Sequence, residues 1–369
     1  MNIDLNLSGG PLAAIDRTAL RHNLQVVRTT APHSKVLAVL KANAYGHGLV
    51  PAAQALIAAD GFGVARLREA VALRDAGIGQ SIVLLEGVFS HAEFDAAARL
   101  NFEIVVHSFE QLDALETWHG TRTLSIWCKV DTGMNRLGFR PEDFTVAWSR
   151  LNACKNVQIK PRVMTHLADA DERHDQRTLQ QIDRFNVLVK DLKVERSIGN
   201  SAGTLGWAAA RVDWVRPGLM LYGMSPFADS VASDLNLQPA MTLSTPLIAV
   251  REVKAGEQVG YGGIWQATKD TRVGIAAIGY GDGYPRHLTS GAPVLIRGQQ
   301  AQIVGRVSMD MIAIDLSSLG DSTAASIMAG DTVVLWGKGL PAELVATYAD
   351  TIPYELVCGI SQRVAMSYR

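Results

Sequence analysis

From residue 16 to about residue 220, short runs of β-branched and aliphatic residues alternate with stretches whose apolar positions recur at helical spacing. That alternation predicts βα units around a parallel sheet. A helix opens the series, with Asp16 suited to cap it and Leu20, Leu24 and Val27 on one face. Eight strands are then predicted, at residues 35–40, 61–65, 81–85, 103–106, 124–130, 162–166, 195–199 and 213–215. Eight suggests a closed (β/α)8 barrel of the TIM type. Periodicity alone does not separate a barrel from an open doubly wound sheet, but both place ligands at the carboxyl ends of parallel strands.

After about residue 235 the texture changes to β-type runs at 243–250, 271–279, 293–296, 301–307 and 332–336, divided by glycine-bearing turns. The predicted organisation is therefore α/β: an N-terminal barrel over residues 1–234 and a mainly β C-terminal domain over 235–369. The polar segment 226–239 is the predicted connection, and no internal repeat or low-complexity tract interrupts the pattern.

Composition narrows the chemistry. With 369 residues and 48% hydrophobic content the chain can bury two cores. Lys+Arg number 35 against Asp+Glu 36, so a net charge of -1 gives no polybasic footprint for nucleic acid or an anionic membrane. No stretch approaches the roughly 20 apolar residues of a membrane span, and residues 1–20 lack a basic start followed by an apolar run. A cytoplasmic protein acting on a small molecule is expected. Cys128, Cys154 and Cys358 are odd in number, far apart and without CxxC spacing. They argue against a disulfide framework or a cysteine metal site, and no metal is expected.

The most informative run is Val36-Leu-Ala-Val-Leu-Lys41-Ala-Asn-Ala-Tyr45-Gly-His47-Gly, in which five apolar residues deliver a lysine to a strand end. A buried lysine has a lowered pKa, which makes its amine a nucleophile able to condense with an aldehyde. A lone lysine at a strand end more often packs its stem and sends its head to solvent. The glycines of the following loop favour tight backbone geometry, with Pro51 near the first turn of the next helix, so amides and the Tyr45 hydroxyl can face a ligand.

Four further strand ends carry polar groups: Lys129-Val-Asp131-Thr-Gly-Met-Asn-Arg136, Thr165-His166, Gly199-Asn200-Ser201 and Arg216-Pro-Gly218. Each has an ordinary structural account, as a turn, a hydrogen-bonded core histidine, a helix N-cap or a surface ion pair. Their joint position at the rim where a barrel holds its site favours function.

The Lys41 segment resembles the cofactor-bearing segment of the alanine racemases, and the similarity extends through most of the chain. The resemblance implies a pyridoxal 5'-phosphate enzyme, a homodimer with shared sites, that interconverts L-alanine and D-alanine, either to supply D-alanine as a peptidoglycan precursor or to feed D-alanine breakdown. It implies that Lys41 carries the cofactor as a Schiff base, that Arg216 meets the pyridine nitrogen, and that His166 lies beside the ring. Tyr45, Ser201, Gly218 and Tyr354 would hold the phosphate, with Asn200 and Leu219 completing the cofactor pocket. Arg136 would bind the substrate carboxylate, and the lysine matching Lys129 is carbamylated in several relatives. An ordinary ion pair of Lys129 with Asp131 or a neighbouring glutamate is the other reading.

Three motifs of the β domain match the same family: Gly260-Tyr261-Gly-Gly, Gly279-Tyr280-Gly-Asp-Gly and Gly305-Arg-Val-Ser-Met309-Asp310-Met. Racemisation needs bases on both faces of Cα. Lys41 serves one face, and the resemblance assigns the other to Tyr261 from the partner subunit, with Met309, Asp310 and Tyr280 at the substrate's entrance. A tyrosine base needs its pKa lowered from about 10, and Arg286 is one candidate for doing so. The rivals are a broad-specificity racemase, whose relatives are generally exported, a decarboxylase of the same fold, and a barrel-only carrier of the cofactor. The decarboxylases use a catalytic cysteine in a context unlike Val357-Cys358-Gly, and a carrier has no use for a β domain with Tyr261.

Overall fold

The eight predicted parallel runs form a closed barrel of Lys35–Val39, Gly61–Val64, Ser81–Leu84, Glu103–Val106, Ile126–Lys129, Arg162–Met164, Arg196–Ser197 and Trp214–Val215. Each strand pairs in parallel with the next, and Lys35 and Val36 close the ring on Trp214 and Val215. The computed structural model describes residues 9–158 and 160–369, so the reading of residues 1–20 lies partly outside the described residues.

Almost every barrel-strand residue is buried, as expected of strands covered on both faces. Leu37, Val83, Val105, Trp127, Met164 and Trp214 pack together as a core. Helix starts follow the sequence chemistry. Asp16 Oδ1 accepts from the amides of Thr18 and Ala19 at the start of Arg17–Thr30, while Ser90 and Ser108 accept from Glu93 and Gln111 at the starts of His91–Leu100 and Phe109–Thr117.

Several strands are shorter than expected. The predicted 162–166 stops at Met164 and 195–199 shrinks to Arg196–Ser197. Thr165 and His166, like Lys41 after Val39, therefore stand just beyond the last paired residue. Lys41 is exposed rather than buried, because it opens a loop on the rim instead of ending within the sheet.

The chain divides into two compact units, one holding Leu20–Leu221 and Pro226–Asp229, the other holding residues 9–19, Tyr222–Ser225 and Ser230–Arg369. The second unit is built on the long strand Met241–Val253, which pairs antiparallel with Leu12–Ile15, Thr271–Ala276 and Thr332–Trp336. Ile312–Asp315, Gln299–Val304 and Pro293–Ile296 complete a ring between Thr271–Ala276 and Thr332–Trp336. Leu12–Ile15 and Ala365–Tyr368, a parallel pair from opposite ends of the chain, extend the sheet. Three short helices, Asp321–Ser326, Ala342–Tyr348 and Pro353–Cys358, accompany it. Among the described residues, no helix is long and apolar enough to cross a membrane.

Candidate active site

Lys41 begins an unusual turn. Ala42, Asn43, Ala44 and Tyr45 all have positive φ, between 52° and 55°. This left-handed conformation costs an L-residue roughly 1–2 kcal/mol each, so a run of four persists only where the surroundings fix it. Here the Ala42 amide donates to Glu69 Oε1 at 2.8 Å, and Asn43 Oδ1 accepts from the Leu49 amide at 2.9 Å. The sequence places flexible glycines at 46 and 48, and both do adopt positive φ. His47 is buried and its Nδ1 lies 2.8 Å from the Tyr45 carbonyl; burial lowers it to about 4, so it is neutral at physiological pH.

The neighbouring strand ends bring cations together. Arg216 is buried, with Nη1 donating to Ser197 Oγ at 2.6 Å and Nη2 to the Thr165 carbonyl at 2.6 Å. Nη2 also lies 3.3 Å from both His166 Nδ1 and the Ile198 carbonyl. None of these four contacts uses Nε. Burial lowers Arg216 to about 10, which leaves it charged at neutral pH. His166 is pushed well below its ordinary value by desolvation and then by Arg216, Lys129, Arg136 and Lys41. It is a neutral ring whose Nδ1 accepts from Arg216.

Lys129 is buried and lowered to about 8, first by desolvation and then by Arg216 and Arg136, with Asp131 opposing. No ion pair between Lys129 and an acid occurs among the described residues; Asp131 Oδ1 instead accepts from the Gly133 and Asn135 amides. The loop that follows folds back on its strand, since Phe139 donates to the Lys129 carbonyl and accepts from the Asp131 amide, each at 2.9 Å. Gly138 permits it: a Cβ there would meet the Asp131 and Val130 backbone. Arg136 is exposed on this loop.

A second feature of the rim is a cradle of donors. Asn200 caps the short helix Ser201–Gly206, accepting from the Gly203 amide at 2.8 Å. Ser201 Oγ gathers the amides of Gly218 at 2.9 Å and Met220 at 3.3 Å, with Leu219 buried between them. The Tyr45 hydroxyl approaches so closely that a Cβ on Gly218 would collide with it. Hydroxyls and amides held around a glycine, beside the cations Arg216 and Lys129, suit a phosphate-bearing ligand.

The remaining candidates lie in the β unit. Tyr261 opens the turn Tyr261–Gly263 and is 69% exposed. The guanidinium packed against this turn is that of Arg306, 3.6 Å from where a side chain on Gly262 would begin. Tyr280, Met309 and Asp310 belong to one assembly: Tyr280 and Gly281 donate to the carbonyls of Ser308 and Met309, and a Cβ on Gly279 would collide with both carbonyls. Arg363 bridges it, binding Asp310 at 2.5 Å and the buried Asp282 at 3.2 Å. Tyr354 is half-buried on Pro353–Cys358. Sequence reasoning missed Glu69, Ser197, Arg306 and Arg363. Only Glu69 left a signal, an acid in the first turn of a helix, which reads as a cap.

All three cysteines are free thiols. Among the described residues, no group of three or more His, Cys, Asp or Glu side chains could hold a metal ion.

Comparison with known proteins finds one family along most of the chain. Residues 15–226 match the model of the alanine racemase N-terminal domain, and residues 240–368 that of the alanine racemase C-terminal domain. The alanine racemase of Aeromonas hydrophila is 50% identical over 357 residues, covering 97% of this chain and 99% of the relative. The crystal structure of the biosynthetic alanine racemase from Pseudomonas aeruginosa superimposes with a TM-score of 0.93 at 42% identity, covering 98% of this chain and 99% of that one. A Bartonella henselae alanine racemase solved with covalently bound pyridoxal phosphate gives 0.88 at 28% identity, covering 98% and 99%. Barrel, rim chemistry, β unit and full-length identity converge, and the chain belongs to the alanine racemase family.

Proposed function

We propose that this protein interconverts L-alanine and D-alanine with pyridoxal 5'-phosphate bound through Lys41, acting as a homodimer in the cytoplasm. The observation that carries the reading is the rim itself: Lys41, Lys129, Arg136 and Arg216 within electrostatic reach of His166, beside the cradle of Tyr45, Ser201 and Gly218. When bound, the cofactor supplies an electron sink that acidifies the substrate's Cα–H.

The chain's own residues supply the rest. Tyr45, Ser201, Gly218 and Tyr354 would hold the phosphate, with Asn200 and Leu219 shaping that end of the pocket. Arg216 would meet the ring nitrogen, and because a guanidinium keeps its proton, it would not protonate that nitrogen. Neutral His166 would lie beside the ring. Exposed Arg136 would orient the substrate carboxylate. Lys129, lowered to about 8, keeps a neutral fraction of amine at physiological pH and is open to carbamylation, which would give Arg136 an anionic partner.

Inverting a stereocentre requires a proton to leave one face of Cα and another to arrive on the opposite face. Lys41 would work on one face and the partner's Tyr261 on the other, with Tyr280, Met309 and Asp310 at the substrate's entrance. Tyr261, Ile264, Tyr280, Met309 and Met311 are all exposed on the β unit, an apolar surface suited to covering by a second copy. Free cysteines fit a reducing compartment.

Chiral chromatography of a panel of L-amino acids after incubation with the cofactor-loaded protein tests the reading. L-Alanine should approach equal amounts of both enantiomers, with other side chains far slower. Equal rates across the panel would mean a broad-specificity racemase, and release of carbon dioxide with an amine product would mean a decarboxylase.

A further inference from the structure

Glu69 lies in the first turn of Leu67–Asp75, the helix that follows the second barrel strand, and resembles an ordinary capping acid. Its carboxylate does more than cap. Oε2 accepts from the Ala65 and Arg66 amides at 2.9 and 3.0 Å, while Oε1 reaches across to the preceding strand's loop and accepts from the Ala42 amide at 2.8 Å. Ala42 directly follows Lys41 and is the first of the four left-handed residues. Bonds within its own loop also hold the turn from Ala42 to Tyr45, such as Ala44 amide to Leu40 carbonyl and Gly48 amide to Asn43 carbonyl. Glu69 ties that loop to the next βα unit, as the bond from the Leu40 amide to the Gly63 carbonyl does just before it, and it is a charged acceptor, the stronger kind.

We propose that Glu69 is a positioning residue for Lys41: its carboxylate clamps the Ala42 amide, fixes the left-handed turn, and so sets the direction in which the Lys41 amine leaves the rim. The proposal rests on the reading of Lys41 as the cofactor-bearing lysine. It assigns Glu69 no contact with substrate or cofactor. It also explains why the residue after Lys41 holds a positive φ without being glycine: the conformation is imposed by an acceptor rather than by backbone freedom.

Glu69→Gln separates clamp from cap. A glutamine has one acceptor oxygen; turned toward Ala65 and Arg66 it keeps both capping bonds and points its NH2 donor at the Ala42 donor, so only the clamp is lost. In the cofactor-loaded dimer, hydrogen exchange of peptides covering residues 41–49 should quicken about tenfold while the rest of the barrel is unchanged. The melting temperature should stay within about 2 °C. Racemisation kcat should fall about tenfold with KM for alanine little altered, since binding groups are untouched. Adding Ala42→Gly, which accepts positive φ without an external clamp, should restore much of the kcat.

Unchanged exchange at 41–49 in Glu69→Gln would overturn the proposal. So would a loss of kcat accompanied by an equal loosening of the whole barrel, the signature of a general stability role. Should that variant not fold, Glu69→Asp, too short to span from its helix to Ala42, reads the same bond. If the wild-type protein did not racemise alanine but exchange still quickened at 41–49, the clamp would stand and the proposed activity would fail.

Discussion

The two ends of the barrel are made from the same strands and handle charge in opposite ways. Strand Lys35–Val39 carries Lys35 at its start, paired with Glu195 at 2.6 Å and lying 5.2 Å from the Trp214 ring centroid, and delivers Lys41 just past its other end. Strand Arg162–Met164 begins with Arg162, held by Glu103 at 2.6 Å and Glu195 at 2.7 Å, and leads to His166. At the starting end, acids and bases match. Glu103 also accepts from Trp127 Nε1 and Ser81 Oγ, and Glu195 from Trp214 Nε1. At the finishing end Arg216, Lys129, Arg136 and Lys41 all act on His166, and Asp131 Oδ1 accepts from the amides of its own loop. Matched charge marks structure, and a surplus of one sign marks a place for a ligand of the other.

The sharpest contrast is between the two lysines. Lys41→Ala should lower racemisation by about four orders of magnitude or more, whereas Lys35→Ala should change it by less than about twofold and cost only about 1 kcal/mol of stability. Steady-state assays and urea titrations of both variants check this, and comparable losses of activity would erase the distinction between the ends. Shared sites add a second reading. Lys41→Ala and Tyr261→Phe homodimers should each be nearly inactive, yet random mixing should restore about a quarter of wild-type activity, since about half the dimers are mixed and each has one intact site. An inactive mixed dimer that still binds cofactor would place both groups in one chain.

A smaller effect is expected at the matched end. Burial alone would raise Glu195, but Lys35, Trp214 and Arg162 overcome it and hold the carboxyl at about 2. A carboxyl lowered on folding contributes stability above its unfolded pKa of about 4.3 and loses it as pH falls toward the folded value. Glu195→Gln should therefore be less stable than wild type at pH 7, and the gap between their melting temperatures should narrow as pH drops from about 4.5 to about 2. A gap that is constant with pH would mean that the ion pairs contribute little.

The barrel was legible in the sequence because each strand is a short, nearly continuous apolar run followed by a helical period. Its exact strand ends were not, since Thr165 and His166 continue the composition of a strand although the ladder ends at Met164 and Ser197. The β unit was less legible. Leu12–Ile15 and Ala365–Tyr368 are only four residues each and find partners at the far ends of the chain, which no local pattern reveals. At the site, Lys41, His166, Arg216 and Ser201 could be named because motif and strand-end position coincide. The left-handed turn could not: alanine and tyrosine avoid positive φ, so nothing in Ala42-Asn-Ala-Tyr45 announces it, and the Glu69 carboxylate that holds it comes from a different βα unit.

Lys41, among the lysines of this barrel, is the proposed bearer of the cofactor. Borohydride reduction of the pyridoxal-phosphate-loaded protein, followed by proteolysis and mass spectrometry of the peptides, tests it directly. A single stoichiometric pyridoxyl adduct is expected on Lys41, with Lys35 and Lys129 unmodified. An adduct on either of those lysines with Lys41 untouched, or no adduct at all, would contradict it.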